Sequence, residues 1–163
     1  SLRCPHSFKE DIVTKQLLVI AHAPSKNTQA LLQAIEEGTQ TASITTVIKS
    51  PFESTAQDAL DADAILLFTP ENLGYMSGAM KDFFDRTYYD VLEEKQGMPV
   101  AAIVRAGNDG TGTVRALQTI TTGLRWRWVQ EPLVLKGEFD HRFLTEAKEL
   151  TEAIAVALEE GMI

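Results

Sequence analysis

Short apolar runs alternate with amphipathic segments along most of this chain of 163 residues. The apolar runs are rich in β-branched side chains, which favour strands. They predict strands over residues 16–20, 44–48, 64–69 and 99–105, and a fifth strand within 126–135. Between these runs, apolar side chains recur at the spacing of one helix face. They predict helices around residues 31–35, 56–62, 80–88, 114–124 and 143–158.

This alternation predicts an α/β fold, a three-layer sandwich in which helices cover both faces of a five-stranded parallel sheet. The run over residues 64–69 is apolar throughout, as expected of a strand buried on both faces. Five strands and five helices favour the strand order 2-1-3-4-5, and such sheets bind ligands where the order reverses. That point lies between the first and third strands, so the loops after Ile20 and Thr69 are expected to meet there.

The length of the chain fits one domain with a sizeable core. Residues 1–14 are polar and charged with little periodicity, so we expect an N-terminal extension there and a single domain over residues 15–163. Gly38 follows the first helical stripe. Because glycine is common at the residue where a helix ends, we expect the first helix to end at Gly38.

Composition excludes several classes of partner. The net charge is −8, so the chain has no excess of cations to replace the counterions of nucleic acid or of an anionic membrane. The single cysteine, Cys4, cannot form an internal disulfide, so a cytoplasmic location is expected. The longest apolar stretches are strand-sized, below the roughly 20 residues of a membrane span.

Short polar residues follow the first predicted strand. Ser25, Asn27 and Thr28 stand at the start of the first predicted helix, with Lys26 among them. Such side chains either cap the helix or share its free N–H groups with an anion. On these residues alone, a plain helix cap and a phosphate-binding loop remain equally open.

Two more loops follow the third and fourth predicted strands at the same edge of the sheet. One runs from Thr69 to Gly78, and the other from Gly107 to Thr113. The second contains Asn-Asp-Gly, which is also a common turn sequence without any ligand. Its glycine spacing is not the dinucleotide fingerprint, which follows the first strand of a fold.

The loops after the first and third predicted strands resemble motifs of known flavoproteins. Residues 25–28 resemble the loop Ser/Thr-x-Asn-Thr, and residues 69–82 resemble Thr-Pro-Glu-Tyr-Asn-Gly-x-x-x-Gly-x-x-Lys-Asn. The second motif matches at Pro70, Glu71, Gly74, Gly78 and Lys81. On these motifs the chain resembles the flavodoxin-like superfamily, and within it the NAD(P)H-dependent FMN reductase group.

The resemblance implies that the domain binds FMN non-covalently. The phosphate would be held by Ser25, Lys26, Asn27 and Thr28. The flavin ring and ribityl chain would meet Pro70, Glu71, Asn72, Leu73, Gly74 and Tyr75, together with Ala106, Gly107 and Asn108. Asn72 and Leu73 replace the aromatic and the asparagine usual in the family, so Tyr75 is the nearest aromatic that could cover the ring.

The resemblance also implies an activity. Hydride would pass from NAD(P)H to FMN, and electrons would then pass to a small-molecule acceptor such as a quinone or a flavin. The cofactor supplies this chemistry, so we expect no catalytic side chain. No histidine has the spacing of a metal ligand, and no metal is expected. Members of the family usually assemble as homodimers or homotetramers.

Two other functions remain open. A flavodoxin-type electron carrier also binds FMN but exchanges single electrons with protein partners, and a net charge of −8 suits such a surface. A ligand-free scaffold domain of the same fold would bind no FMN at all. The second loop follows the reductase pattern, and this favours the reductase.

Overall fold

Strands and helices alternate much as the hydrophobic pattern predicts in the computed structural model, which describes residues 14–163. The strands are β1 (Gln16–Ala21), β2 (Thr45–Lys49), β3 (Ala64–Asn72), β4 (Tyr75–Met76), β5 (Pro99–Ala106), β6 (Arg127–Trp128) and β7 (Leu133–Lys136). The helices are α1 (Lys26–Thr39), α2 (Ala56–Asp61), α3 (Gly78–Val91), α4 (Thr111–Gly123) and α5 (Arg142–Glu159). The expected extension falls outside the described residues except for Thr14. No helix in the described part combines the length and the apolar character needed to cross a membrane.

The sheet has the predicted parallel core. Its order is β2-β1-β3-β5, and β6 and β7 both pair in parallel with β5. On β1, Leu18 lies opposite Val47 of β2 on one side and Ile65 of β3 on the other. The two strands that follow β1 in the chain, β2 and β3, therefore lie on opposite sides of it. The α/β prediction is confirmed, and the order reverses between β1 and β3 as expected.

The described residues form seven strands where five were predicted, for two local reasons. The predicted fifth strand is divided into β6 and β7 because the chain leaves the sheet around Pro132, which has no N–H for a ladder hydrogen bond. The predicted loop after Thr69 is instead a hairpin, since β3 continues to Asn72 and pairs antiparallel with β4. Polar residues after Thr69 hid this continuation of an otherwise apolar strand.

Both faces of the sheet are buried. One face packs on α1 and α5 through side chains that include Leu17 and Phe68. The opposite face packs on α2, α3 and α4. Phe83 and Phe84 of α3 belong to this second core and contact each other edge to face, with ring centroids 5.2 Å apart. The two helical layers hold the sheet between them and leave its carboxyl edge to the loops.

The expectation that Gly38 ends the first helix is wrong. Helix α1 continues through Thr39, and Gly38 is buried inside it against α5. A Cβ atom at Gly38 would lie 2.8 Å from the carbonyl oxygen of Lys148 and 2.8 Å from the Cβ of Thr151. Glycine is therefore present because the two helices approach closely, and not because the chain needs a left-handed turn.

Replacing Gly38 with alanine should destabilise the protein. Overpacking typically costs about 1–3 kcal/mol, against a gain of at most about 1 kcal/mol in helix propensity. We expect the free energy of unfolding in urea to fall by roughly 1–2 kcal/mol. Gly78→Ala is the matched control, because a Cβ atom at that helical glycine would meet nothing within 4 Å. Equal stabilities of the two variants would contradict this account of the helix contact.

Candidate functional site

Three loops meet the solvent at the carboxyl edge of the sheet, as predicted. They follow β1, β3 and β5, which are neighbours in the sheet. The pairing of β1 with β3 extends to the loop, where the N–H of His22 donates to the carbonyl of Phe68 at 2.9 Å. Pro70 of β3 lies opposite Arg105 of β5. The three sets of predicted FMN-binding residues therefore lie along a single edge.

The loop after β1 ends in a capping box. The Thr28 N–H donates to the Ser25 hydroxyl at 3.2 Å, and the Ser25 N–H donates to the Thr28 hydroxyl at 2.9 Å. Thr28 is only 4% exposed, whereas Ser25, Lys26 and Asn27 are exposed. The cap interpretation is therefore confirmed for Ser25 and Thr28.

The cap leaves donors available for an anion. The N–H groups of a first helical turn have no intrahelical acceptor, and the box engages only that of Thr28 within α1. The N–H groups of Lys26 and Asn27 point out of the N-terminal end of the helix, where an anion can bind. The helix dipole favours negative charge at this end. A phosphate at this helix would thus be bound by backbone donors beside the exposed Asn27 side chain.

The loop after β3 is a tight hairpin turn. Leu73 and Gly74 connect the paired residues Asn72 and Tyr75, and both have positive φ, at 54° and 77°. Positive φ at both central residues is the mark of a type I′ turn, where Asn-Gly is the favoured pair. Leucine adopts this conformation at a cost of roughly 1–2 kcal/mol. Its side chain is fully exposed, so no burial offsets that cost.

The Glu71 carboxylate joins the hairpin to the loop after β5. One of its oxygens accepts from the Asn108 N–H at 3.0 Å, and the other accepts from the Gly110 N–H at 3.0 Å. Hydrogen bonds to an ionised group are stronger than neutral ones. We call this pair of contacts the Glu71 bridge. It brings two of the three predicted groups of site residues into direct contact and fixes their relative position.

Two further contacts position the hairpin, and neither was predicted from the sequence. At its base, the Thr69 hydroxyl accepts from the Ser77 N–H at 3.0 Å, and both residues are buried. At its tip, the Gly74 carbonyl lies so close to Gly112 of α4 that a Cβ atom on Gly112 would overlap the carbonyl oxygen. The glycine of a Thr-Gly-Thr sequence was the available signal, since such a residue permits close backbone approach.

These features fit FMN. A phosphate needs donors, and the start of α1 supplies them. A flat ring needs an open slot, and a Cβ atom at Gly107 or Gly78 would meet nothing within 4 Å. The ring also needs an apolar cover, and Tyr75 is 39% exposed on the hairpin. Two residues predicted to meet the flavin are engaged within the protein. The Glu71 carboxylate forms the Glu71 bridge, and Ala106 is fully buried.

Solved structures share this architecture. A flavodoxin from the domain Archaea has a TM-score of 0.75 and 22% identity, and the match covers 88% of this chain and 98% of that one. The flavodiiron protein from Giardia intestinalis also has a TM-score of 0.75, at 16% identity, over 96% of this chain and 40% of that one. The fold is therefore flavodoxin-like.

A family assignment follows from the sequence match. The model of the NADPH-dependent FMN reductase family matches residues 31–140, and the chain belongs to this family. A flavodoxin of Aquifex aeolicus (strain VF5) is 33% identical over 110 residues, which make up 67% of this chain. The alignment spans 60% of the length of that relative. The resemblance drawn from the loop motifs is thus confirmed, and the protein is classed with FMN flavoproteins.

Removing the Glu71 bridge should loosen the site. Hydrogen bonds to a charged group contribute about 1.5–3 kcal/mol in favourable cases. Because Glu71 is half-buried, we expect Glu71→Ala to lower the free energy of unfolding in urea by roughly 1–3 kcal/mol. Glu138→Ala is the control, since Glu138 is an exposed acid near the same edge. Faster amide exchange at Asn108 and Gly110 should accompany the loss; unchanged exchange would argue against the bridge.

Relieving the strain at Leu73 should stabilise the protein. Asparagine tolerates the left-handed conformation better than leucine, and the exposed leucine side chain contributes no core packing. Leu73→Asn should raise the free energy of unfolding by roughly 0.5–1 kcal/mol. Leu73→Ala is the control, because alanine keeps a Cβ atom at positive φ and should bring no comparable gain. Thermal and urea unfolding measure both, and equal stabilities would contradict the turn assignment.

Proposed function

We propose that this protein is an NAD(P)H-dependent reductase that holds FMN at the carboxyl edge of its sheet. The observation that carries the proposal is the Glu71 bridge, because it holds the hairpin and the loop after β5 in contact beside the start of α1. Membership of the NADPH-dependent FMN reductase family supports the same function. The electron acceptor would be a small molecule, such as a quinone or a flavin.

Each loop would have its own task. The backbone donors at the start of α1, with the side chains of Ser25, Lys26 and Asn27, would hold the phosphate. Pro70 and the hairpin residues from Asn72 to Tyr75, with Gly107 and Asn108 after β5, would line the flavin ring. When bound, FMN accepts hydride and passes electrons on. The protein's part is to orient the ring and to leave one of its faces open to the nicotinamide.

An electron carrier is the second candidate, and two observations favour it. The net charge of −8 would suit docking to a basic protein partner, and the Aquifex aeolicus relative is named a flavodoxin. A carrier would retain FMN but would not oxidise NAD(P)H. Homodimer or homotetramer assembly and a cytoplasmic location stay proposals from the family resemblance and the single cysteine.

Steady-state turnover distinguishes these functions. The purified protein is loaded with FMN, freed of unbound flavin and mixed with NADH or NADPH and a benzoquinone. We expect NAD(P)H oxidation that depends on both the bound FMN and the quinone. A retained flavin spectrum without any oxidation would replace the reductase by the carrier. Failure to retain or bind FMN under any condition would leave the scaffold interpretation.

A carboxylate beside the phosphate site should weaken FMN binding selectively. Asn27 is exposed in the first turn of α1, so Asn27→Glu should not harm folding and even complements the helix dipole. Two like unit charges about 4 Å apart repel each other by roughly 1 kcal/mol in bulk water and by about 4 kcal/mol near a protein surface. We therefore expect the Kd for FMN to rise by at least about tenfold.

The Kd for FMN is measured by fluorescence titration, with two controls. Gln29→Glu adds the same charge at an exposed position two residues further along α1 and should change the Kd much less. Riboflavin lacks the phosphate, so its affinity should be equal in the Asn27→Glu variant and the unaltered protein. A similar loss for FMN and riboflavin would place the phosphate elsewhere.

A further inference from the structure

A second concave surface lies next to the proposed phosphate site, on the side of β2. It has a volume of about 460 Å³ and is bordered by the loop after β1 and the turn after β2. Its floor is aliphatic and consists of Ala21, Leu32 and Ile48. None of the residues assigned to FMN lines this cleft, so the proposed flavin site leaves it unused. The volume lies in the range of small-molecule sites.

One wall of the cleft is a firmly held turn. The N–H and hydroxyl of Ser54 donate to the carbonyl of Ser50 at 3.1 and 2.8 Å. The Arg86 guanidinium donates to the carbonyls of Ser54 and Pro51 at 3.1 and 2.8 Å. Yet Phe52, between these anchored residues, is 66% exposed. The turn therefore presents an aromatic ring at the rim of the cleft instead of burying it in a core.

The polar side chains of the cleft carry one uncompensated charge, that of Glu53. Burial lowers the pKa of His22, which favours the neutral form of its imidazole. The ammonium of Lys49 is paired with Asp58 at 3.0 Å. Burial by itself raises the pKa of Asp58, but the hydrogen bonds that its carboxylate accepts, above all from Lys49, lower it overall. These two charges cancel, and they leave Glu53 as the uncompensated group.

From the cleft's shape, aromatic rim and charge, we infer that it binds the adenosine end of the nicotinamide dinucleotide. The inference rests on the proposed reductase function and names where its co-substrate is held. A neutral heterocycle would stack on Phe52 above the aliphatic floor, with His22 as a hydrogen-bonding partner. Pro24 lines the cleft and precedes Ser25, so the cleft directly adjoins the loop assigned to the FMN phosphate.

Glu53 gives the cleft a preference between the two dinucleotides. Its Oε1 accepts from the Ser50 hydroxyl at 3.1 Å, while no described residue donates to its Oε2. A carboxylate in this setting accepts a hydrogen bond from a ribose 2′-hydroxyl and repels a 2′-phosphate, as acidic residues do in dinucleotide-binding folds. Among the residues that the structure describes, no unpaired cation lines the cleft to offset that repulsion. The cleft should therefore take NADH in preference to NADPH.

Fragment binding tests the cleft without FMN or turnover. Titration of 5′-AMP into the flavin-free protein by calorimetry or NMR should show binding, and nicotinamide mononucleotide, which has no adenine, should bind more weakly. Phe52→Ala should raise the Kd for 5′-AMP on the order of tenfold, the effect of losing one base–aromatic stack. Tyr89→Ala is the matched control, because Tyr89 is 83% exposed on α3 and does not line the cleft.

Removing the charge of Glu53 tests the preference. In the FMN-loaded protein, Glu53→Gln should lower the KM for NADPH severalfold and leave the KM for NADH nearly unchanged. The same variant should bind 2′-AMP more tightly than the unaltered protein does. Circular dichroism checks that each variant is folded. Unaltered KM ratios together with equal 5′-AMP affinity in Phe52→Ala and Tyr89→Ala would overturn the cleft assignment.

Failure of this inference can be told apart from failure of the proposed function. If the protein oxidises NAD(P)H but 5′-AMP does not bind, the reductase stands and the adenosine site lies elsewhere. If 5′-AMP binds in a manner that depends on Phe52 while NAD(P)H is not oxidised, the cleft is a nucleoside site and the reductase proposal fails. If neither binding nor oxidation occurs, both are overturned.

Discussion

The site depends on one constraint, the position of β1 between β2 and β3. Residues Leu17 to Ile20 have no exposed surface, so this strand must be covered on both faces and paired on both edges. Its parallel partners are the strands that follow it in the chain, one on each side. Helix crossovers must then leave in opposite directions, and the loop after β1 is left without a helix above it. The crevice at this point is a consequence of topology, and any ligand that uses it meets the start of α1.

The loops at this edge are ordered by backbone contacts more than by packing. Glu71 is bound by two N–H groups, Thr69 by the N–H of Ser77, and Gly74 abuts Gly112. A site built in this way is preorganised before a ligand arrives, so less of the binding energy is spent on ordering loops. The cost appears at Leu73, whose left-handed conformation is strained and whose side chain is exposed. Strain of this sort tends to collect at functional edges and not in the core.

The sequence predicted the layers well and the connections less well, for physical reasons. Burial on both faces produces an uninterrupted apolar run, so β1 and the apolar part of β3 were found almost to the residue. Periodicity carries no information on backbone approach, so Gly38 was mistaken for a helix end when it is a contact between helices. The polar end of β3 is stabilised by pairing with β4, which no local pattern reports.

The candidate site was likewise predictable from the sequence only in part. Its location followed from strand order, and its residues followed from motif resemblance. The Glu71 bridge, however, joins residues 37 and 39 positions apart, and only the folded chain places them within hydrogen-bonding distance. Likewise, the short polar run after β1 was equally consistent with a cap and with an anion site. The structure shows that the Ser25–Thr28 box serves as a cap and still leaves backbone donors available.

This double use of α1 would let an acidic protein hold the proposed phosphate. With a net charge of −8, the protein's overall field repels anions, and Lys26, the first residue of α1, is the one basic residue in the stretch 23–28. Partial charges at a helix start act over a short range, where they exceed a screened field from distant carboxylates. The capping box contributes by fixing the first turn, so the free N–H groups keep one direction. Phosphate affinity would then come from oriented dipoles at a rigid helix end, and it would need no excess of cationic side chains.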